Sequence, residues 1–412
     1  MTAIRAKYKD YFKDVDLVFL LLIGVLCTFP LEKWNPKFIL GLFIAQLFLV
    51  FKKREFRLKT TPFFWMLMAL FSLNFFGLFY TENLDKGFAV ITRQISLVLF
   101  PIFYASYNIN RVKLLFKTYC ISIFIFLVVF EAYTVYRFFY QSAIFPLDLE
   151  LFLSFRYTGA ELTKLIDIHN AYLGIYIIMS NILIVSFLKT TKKNYHSILL
   201  LLLIVFQSLF LMQMVAKTAI ILNGLIIIPS LVYLLILQKR IKMLVFFATI
   251  VMGLGYFTIT KFDLPLNRIL DRVEELSNSN QKERETRPII WKSALPLIKN
   301  NIVIGLGTGD ANNVLISKYK SEGLKTNTNV HNQYLDYLLR FGVVGLLIFL
   351  GVFSYALYQS VKLNNYVYFC FLTLILGSCF TENILSRQWG VTFFATFNYL
   401  LYLTATKTIK WE

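Results

Sequence analysis

Between Ile198 and Leu237 the chain runs for 40 residues with Lys217 as its one charge. That is about twice the roughly 20 residues a helix needs to cross a bilayer core of about 30 Å. The stretch must therefore fold back on itself, and the polar break "QMVAKT", residues 213–218, is the natural turn. Apolar runs of similar length recur near residues 15–30, 38–51, 62–80, 87–106, 114–136, 170–188, 197–214, 218–237, 241–259, 333–358, 364–380 and 391–406. With 58% hydrophobic residues over 412 positions, the chain lies outside the roughly 45 to 50% apolar usage of soluble domains. Ten-residue alternating strands are absent from the sequence, which excludes a membrane barrel. The expected fold is an all-α polytopic membrane protein of about twelve transmembrane helices. Residues 1–260 hold the first nine, 261–332 form a large outer loop with short helices, and 333–412 hold the last three.

The formal net charge of +19 is not read as a nucleic-acid footprint, because the basic residues sit in short loops between apolar runs. "RAKYKDYFK", "KKREFRLK", "NRVK", "KTTKK", "QKRIK" and "KTIKWE" all fall on one side if the chain crosses at every run. By the positive-inside rule that side is cytoplasmic, and both termini with it. The start is basic and then apolar but lacks a small-x-small cleavage site, so it reads as an uncleaved first helix. Cys27, Cys120, Cys370 and Cys379 lie in apolar runs without metal-ligand spacing, and are expected to be small core residues.

The outer side receives "EKWNPK", "TENLDKG", the segment 137–170, the break at Lys217, the segment 261–330 and "TENILSRQWG". Amphipathic patterns in "NRILDRVEEL" and "PIIWKSALPLI" predict a small helical cap, the second helix opened by Pro288. "GLGTGD", residues 305–310, has two readings. One is a phosphate-cradling loop; the favoured one is a tight turn with Asp310 capping the helix through "ANNVLISKY".

Charge inside hydrocarbon is costly and marks function by default. Arg93, Glu131, Lys217, Asp336 and Arg340 all fall toward the outer ends of their runs, with Glu382 and Arg387 in the last outer loop. A proton- or ion-coupled transporter would place such charges near the midplane. Arg93, Lys217 and Arg340 on one side suggest a site for an anionic head group, and Asp336 and Arg340 are spaced for an i,i+4 pair. Two of the three histidines open matching strings, "HNAY" at 169–172 and "HNQY" at 331–334, each at the outer mouth of an inward span. Either both strings reflect helix-capping chemistry, or an imidazole at the water–lipid boundary acts as general base.

From Arg287 and Trp291 through Gly305 and Gly307 to His331, Asn332 and Tyr334, then Gly342 to Gly345, the sequence resembles the O-antigen ligase and polymerase family of membrane glycosyltransferases. The resemblance implies transfer of a glycan from undecaprenyl pyrophosphate to a sugar hydroxyl at the periplasmic face of the bacterial inner membrane. The acceptor is lipid A core for a ligase and a second repeat unit for a polymerase; the ligase reading is slightly preferred. It implies His331 as base with inversion at the anomeric carbon. Arg287, Lys217, Arg93, Arg340, His169, Asn332, Tyr334 and Arg387 are expected on the substrate. Lys217 stands where many relatives carry a Ser-Arg pair, and lysine offers a point charge rather than a bidentate fork. Besides these substrates the expected partners are membrane lipids, with no nucleic acid and no cofactor. The one Asp-x-Asp, Asp14 to Asp16, falls on the cytoplasmic side, so metal-independent chemistry is expected; the alternative is a metal site assembled from Glu131, Asp310 and Glu382. A flippase or exporter is the rival from another class, and a non-enzymatic membrane scaffold is a third possibility. The flippase would need charge in the cytoplasmic halves of the spans, which are nearly charge-free.

Overall fold

The computed structural model describes residues 16–53, 58–142, 149–154, 156–261, 287–324 and 326–409. The predicted helix "NRILDRVEEL" and most of both termini lie outside them. Within them the chain is helical throughout. In order it forms α1 (Leu17–Cys27), α2 (Asn35–Lys53), α3 (Pro62–Phe76), α4 (Leu84–Gln94), α5 (Ser96–Ser106), α6 (Val112–Ser142), α7 (Asn170–Thr190) and α8 (Asn194–Gln213). It continues as α9 (Lys217–Leu237), α10 (Ile241–Lys261), α11 (Arg287–Asn300), α12 (Ala311–Ser321), α13 (Gln333–Lys362), α14 (Tyr366–Cys379) and α15 (Gln388–Ala405).

A helix satisfies its own backbone groups, which is what apolar surroundings demand, and helix occupies each of the twelve expected runs. Among the described residues seven helical segments are long and apolar enough to cross a membrane: α2, α4 with α5, α6, α7, α8, α9 and α13; α1, α3 and α14 are shorter apolar helices. The 40-residue run divides where expected, between α8 and α9, with Val215 at a positive φ of 54°. The fourth expected run is two helices meeting at Ile95.

Two helices form the core. α7 is apolar on every side, the pattern of a fully enclosed helix, and is buried from Tyr172 to Leu188 among α6, α8, α9 and α14. α15 is likewise buried from Gly390 to Ala405, packed on α5, α13 and α14. Apolar burial cannot orient helices surrounded by lipid, so polar side chains do. Asn181 Nδ2 donates to Asn223 Oδ1 at 2.9 Å, Asn223 Nδ2 to Ser208 Oγ at 3.0 Å, and Gln207 Nε2 to Ser180 Oγ at 3.2 Å, tying α7 to α8 and α9. By contrast, Leu40, Ile44, Leu47, Phe48 and Phe51 form an exposed apolar stripe on α2, the kind of surface lipid covers.

The loops separate onto two faces. On the basic face Arg240 donates to the Thr191 carbonyl at 2.6 Å, and Lys59 N to the Ala105 carbonyl at 2.9 Å. On the other face the loops after α1, α11, α12 and α14 meet around one cavity. The same face carries α11 and α12, which pack on each other and, through Ile290, Leu315, Val330 and Leu339, on the start of α13.

α13 is bent at Gly342, whose φ of 62° and ψ of −159° leave the helix. The break frees carbonyls of the turn before it. The Leu339 and Arg340 carbonyls accept from Leu306 N and Gly307 N, both at 2.9 Å, while Val343 N donates to the Ile302 carbonyl at 2.8 Å. A side chain at Gly342 would meet the Val303 backbone, so both its φ and the close approach require glycine.

Candidate active site

"GLGTGD" is the first part of the site to be settled, and as a turn. Gly305 N donates to the Asn301 carbonyl, Leu306 N and Gly307 N to α13, Thr308 N to the Gly77 carbonyl, and Gly309 N to Thr81 Oγ1. A phosphate cradle needs free N–H groups, and these five are engaged. Asp310 corrects the capping expectation: its carboxylate makes no cap on α12. It accepts from Glu82 N at 2.7 Å and Asn83 N at 2.9 Å instead, gripping the entry to α4.

Arg340 and Asp336 form the expected pair, Nε to Oδ2 at 2.9 Å, with both side chains buried. Asp336 Oδ2 also accepts from Ser386 Oγ at 2.9 Å and Gln333 Nε2 at 3.3 Å, and Arg340 Nη1 donates to the Thr308 carbonyl at 3.0 Å. Arg340 therefore joins α13 to the glycine turn, and Asp336 joins α13 to the last loop. Arg340 still lines the cavity, but much of its hydrogen-bonding capacity is committed.

At the head of α13, Asn332 is the cap, its Oδ1 accepting from Leu335 N at 3.1 Å. Its own N–H donates to Asn383 Oδ1 at 2.7 Å and its Nδ2 to the Phe380 carbonyl at 3.3 Å. Tyr334 OH donates to the Leu376 carbonyl at 2.9 Å. Both residues fix α13 against α14 and the loop that follows it.

His331 precedes the cap at φ 48°, a conformation that non-glycine residues rarely hold and that clusters at functional sites. Its Nδ1 lies 3.2 Å from Glu382 Oε2; the His331 side chain is 21% exposed and that of Glu382 only 4%. Burial alone would raise the Glu382 carboxyl, but the His331 hydrogen bond and the charges of His331, His169 and Arg387 outweigh it and hold the group below its ordinary value. An ionised carboxylate only accepts, so in the neutral imidazole the shared proton belongs on His331 Nδ1 and Nε2 carries the lone pair. Among the described residues Nε2 has no hydrogen-bond partner. Sequence reasoning named Glu382 only as an outer-loop charge and a possible metal ligand and did not pair it with His331; the signal for it was an acid in the loop that returns the chain from α14.

Beside this dyad lies a cavity of about 610 Å³ lined by Lys86, Arg93, Arg340, Arg387, Asn313 and Trp389 among others. Arg93 and Arg387 are exposed and make no ion pair among the described residues, whereas Glu32 is the one acidic residue in the lining. Lys86 was visible only as one charge of "TENLDKG". His331 is not in the lining, although Asn327 to Asn329 and Ser386 to Gln388 are. The dyad and the cavity thus share the walls on either side of His331 and Glu382.

The remaining candidates stand outside the cavity. His169 caps α7, Nδ1 accepting from Ala171 N at 3.3 Å. Partial desolvation lowers its imidazole, Glu382 opposes, and the charges of Arg387, His331 and Arg287 add to the lowering. The ring is exposed, so solvent limits the effect. Arg287, exposed at the start of α11, therefore belongs to the same electrostatic neighbourhood. Lys217 is exposed at the first turn of α9, next to the 214–216 break on which Asn170 Nδ2 is anchored through the Met214 carbonyl at 3.1 Å. The structure does not bring Lys217 into the cavity with Arg93 and Arg387. The composite metal site is not assembled either. Glu131 pairs with Gln213, Asp310 with the α4 entry and Glu382 with His331, and no group of three metal-ligating side chains occurs among the described residues.

No curated protein matches the chain. Residues 202–350, from α8 into α13 and so including the glycine turn, His331 and the Gly342 bend, match the family model described as O-antigen ligase.

Proposed function

We propose that the protein transfers a glycan from undecaprenyl pyrophosphate to an acceptor sugar hydroxyl at the periplasmic face of a bacterial inner membrane, with all twelve helical runs crossing and both termini cytoplasmic. The observation that carries this reading is the His331–Glu382 dyad, 3.2 Å apart, set beside a cavity with three exposed cations, Lys86, Arg93 and Arg387. Sites of several hundred Å³ suit a small ligand portion, here the diphosphate and its first sugars. Glu382 holds the imidazole in one tautomer, as a carboxylate does for a catalytic histidine elsewhere. His331 Nε2 takes the proton of the acceptor hydroxyl, and its oxygen forms a bond to the anomeric carbon with inversion. The bond from that carbon to the phosphate oxygen breaks, and the electron pair leaves with the lipid diphosphate. Arg93, Arg387 and Lys86 stabilise that charge by charge-assisted hydrogen bonds, where preorganised donors act most strongly. Arg287 and Lys217, on the His169 side, serve the second substrate or the far end of the donor.

Ligase is slightly preferred to repeat-unit polymerase; the two share donor and scaffold and differ in the acceptor. Purified lipid-linked donor and lipid A core decide between them: product on the core supports ligase, and elongation on the carrier supports polymerase. The reaction is proposed to be metal-independent. Transfer is expected to persist in excess chelator, and inhibition reversed by a divalent cation overturns that point.

A further inference from the structure

On the face opposite the dyad, the ends of α1, α2, α5 and α15 enclose a second cavity, of about 620 Å³. Its wall is a built hydrogen-bonded frame. Tyr107 OH donates to Asp16 Oδ1 at 2.7 Å, the same oxygen accepts from Phe19 N at 2.8 Å, and Gln46 Nε2 donates to Ser106 Oγ at 3.2 Å. Lys59 and Arg111 add positive charge to the lining. Two further polar groups of the lining lack a partner among the described residues: the Tyr104 hydroxyl and Gln46 Oε1, on side chains only 4% and 8% exposed. Buried polar atoms are nearly always paired, and an unpaired one is costly. The two orphans want opposite things. Tyr104 OH and the Lys59 ammonium can donate, so they suit phosphate oxygens; Gln46 Oε1 can only accept, so it suits a hydroxyl.

Alongside the cavity, α1 and α2 present Leu17, Leu20, Leu47, Phe48 and Phe51 as exposed apolar side chains. A soluble anion makes no use of that surface, whereas acyl chains do. Basic pockets between transmembrane helices at the cytoplasmic level are suited to anionic head groups. We propose that this cavity binds an anionic phospholipid, through a phosphodiester head group whose alcohol carries a free hydroxyl, with the acyl chains lying along α1 and α2.

The test uses the full-length protein in detergent micelles, with native mass spectrometry and a lipid titration. Phosphatidylglycerol is expected to bind at one molecule per chain, at least about tenfold tighter than phosphatidylcholine. Lys59→Glu is expected to weaken it by roughly tenfold or more, and Lys192→Glu, elsewhere on the basic face, to leave it unchanged. Equal losses in the two variants mean surface attraction alone and overturn the site. So does absence of bound phosphatidylglycerol. Displacement by inorganic phosphate points to a soluble anion and overturns the lipid assignment. Should Lys59→Glu fail to fold, the wild-type protein still discriminates: phosphatidylmethanol, a phosphodiester lacking the hydroxyl, is expected to bind several-fold more weakly than phosphatidylglycerol. Equal binding removes Gln46 from the recognition.

Discussion

"HNAY" at 169–172 and "HNQY" at 331–334 differ by one residue in sequence and by one step in register. In the first, His169 is the helix cap, with an extended backbone at φ −67°, and Asn170 is the first helical residue. In the second, Asn332 caps and His331 is displaced out of the helix at φ 48°. That single step decides the chemistry. A capping imidazole spends Nδ1 as an acceptor for a backbone N–H, whereas the displaced one turns Nδ1 to a buried carboxylate and leaves Nε2 without a partner among the described residues. The two motifs nevertheless converge on one loop: Asn383 accepts from Asn332 N through its side chain and from Tyr172 OH through its carbonyl at 3.5 Å. Near-identical strings therefore meet at the same loop in different arrangements, one capping a helix and one, in the proposed mechanism, serving as the base.

The largest expected effect breaks that distinction most directly. His331→Ala is expected to lower kcat for glycan transfer by about 10³-fold, within the range for loss of a general base, with unchanged protein level and membrane insertion. Wild-type transfer by the variant removes His331 from the mechanism.

Glu382→Gln comes next. The amide keeps the shape but no longer fixes the tautomer, so a loss of about 10²-fold in kcat is expected, with little change in donor KM. The variant also carries a pH test. The folded-state pKa of Glu382 lies below its ordinary value of 4.5, so its contribution to stability is complete above that value and is lost as pH falls through the folded pKa. The Tm of the wild type is expected to fall more steeply below about pH 4.5 than that of Glu382→Gln. Parallel curves would mean that the carboxylate makes no special pairing.

The cations sharpen the comparison from the substrate side. Arg387 faces the cavity and also acts electrostatically on Glu382 and His169, whereas Arg287 acts on His169 from outside the cavity. Arg387→Ala and Arg287→Ala are each expected to raise donor KM roughly tenfold, as removal of one charge-assisted contact does, with Lys192→Ala as the unaffected control. If only Arg387→Ala changes KM, the donor is confined to the cavity and Arg287 leaves the binding site.

What was legible beforehand follows a physical divide. The fold-back at 213–218 and the amphipathic "PIIWKSALPLI" were readable because hydropathy and period act within one helix. The Asp336–Arg340 pair was readable because it is local, at i,i+4. The contacts that assemble the site are not local: Glu382 is 51 residues from His331, and Asp310 is 228 from Glu82. Periodicity carries no information about such pairings. Asp310 was misassigned for the same reason: Asp before a helix predicts a cap, and the folded chain offered its carboxylate two backbone donors from the α4 entry instead. The register difference between the two histidines was hidden as well, since Asn and His both tolerate a capping position.

The smallest expected effect is at His169, and it is the sharpest test of the register difference. His169→Asn replaces one good cap by another, so α7 is expected to keep its start and transfer to stay within about twofold of wild type. Its folded-state pKa is lowered from 6.5, so the folded state resists protonation more than the unfolded chain does. Stability contributed by the neutral ring is complete above 6.5 and declines as pH falls toward the folded value. Because the ring is exposed, the decline is slight, and a Tm series between pH 7 and 5 is expected to be marginally flatter for His169→Asn than for wild type. A loss of transfer comparable to that of His331→Ala would reverse the assignment: the proton would then pass through both imidazoles, and the Glu382 carboxylate, which acts electrostatically on both, would serve as their common partner rather than as the anchor of one.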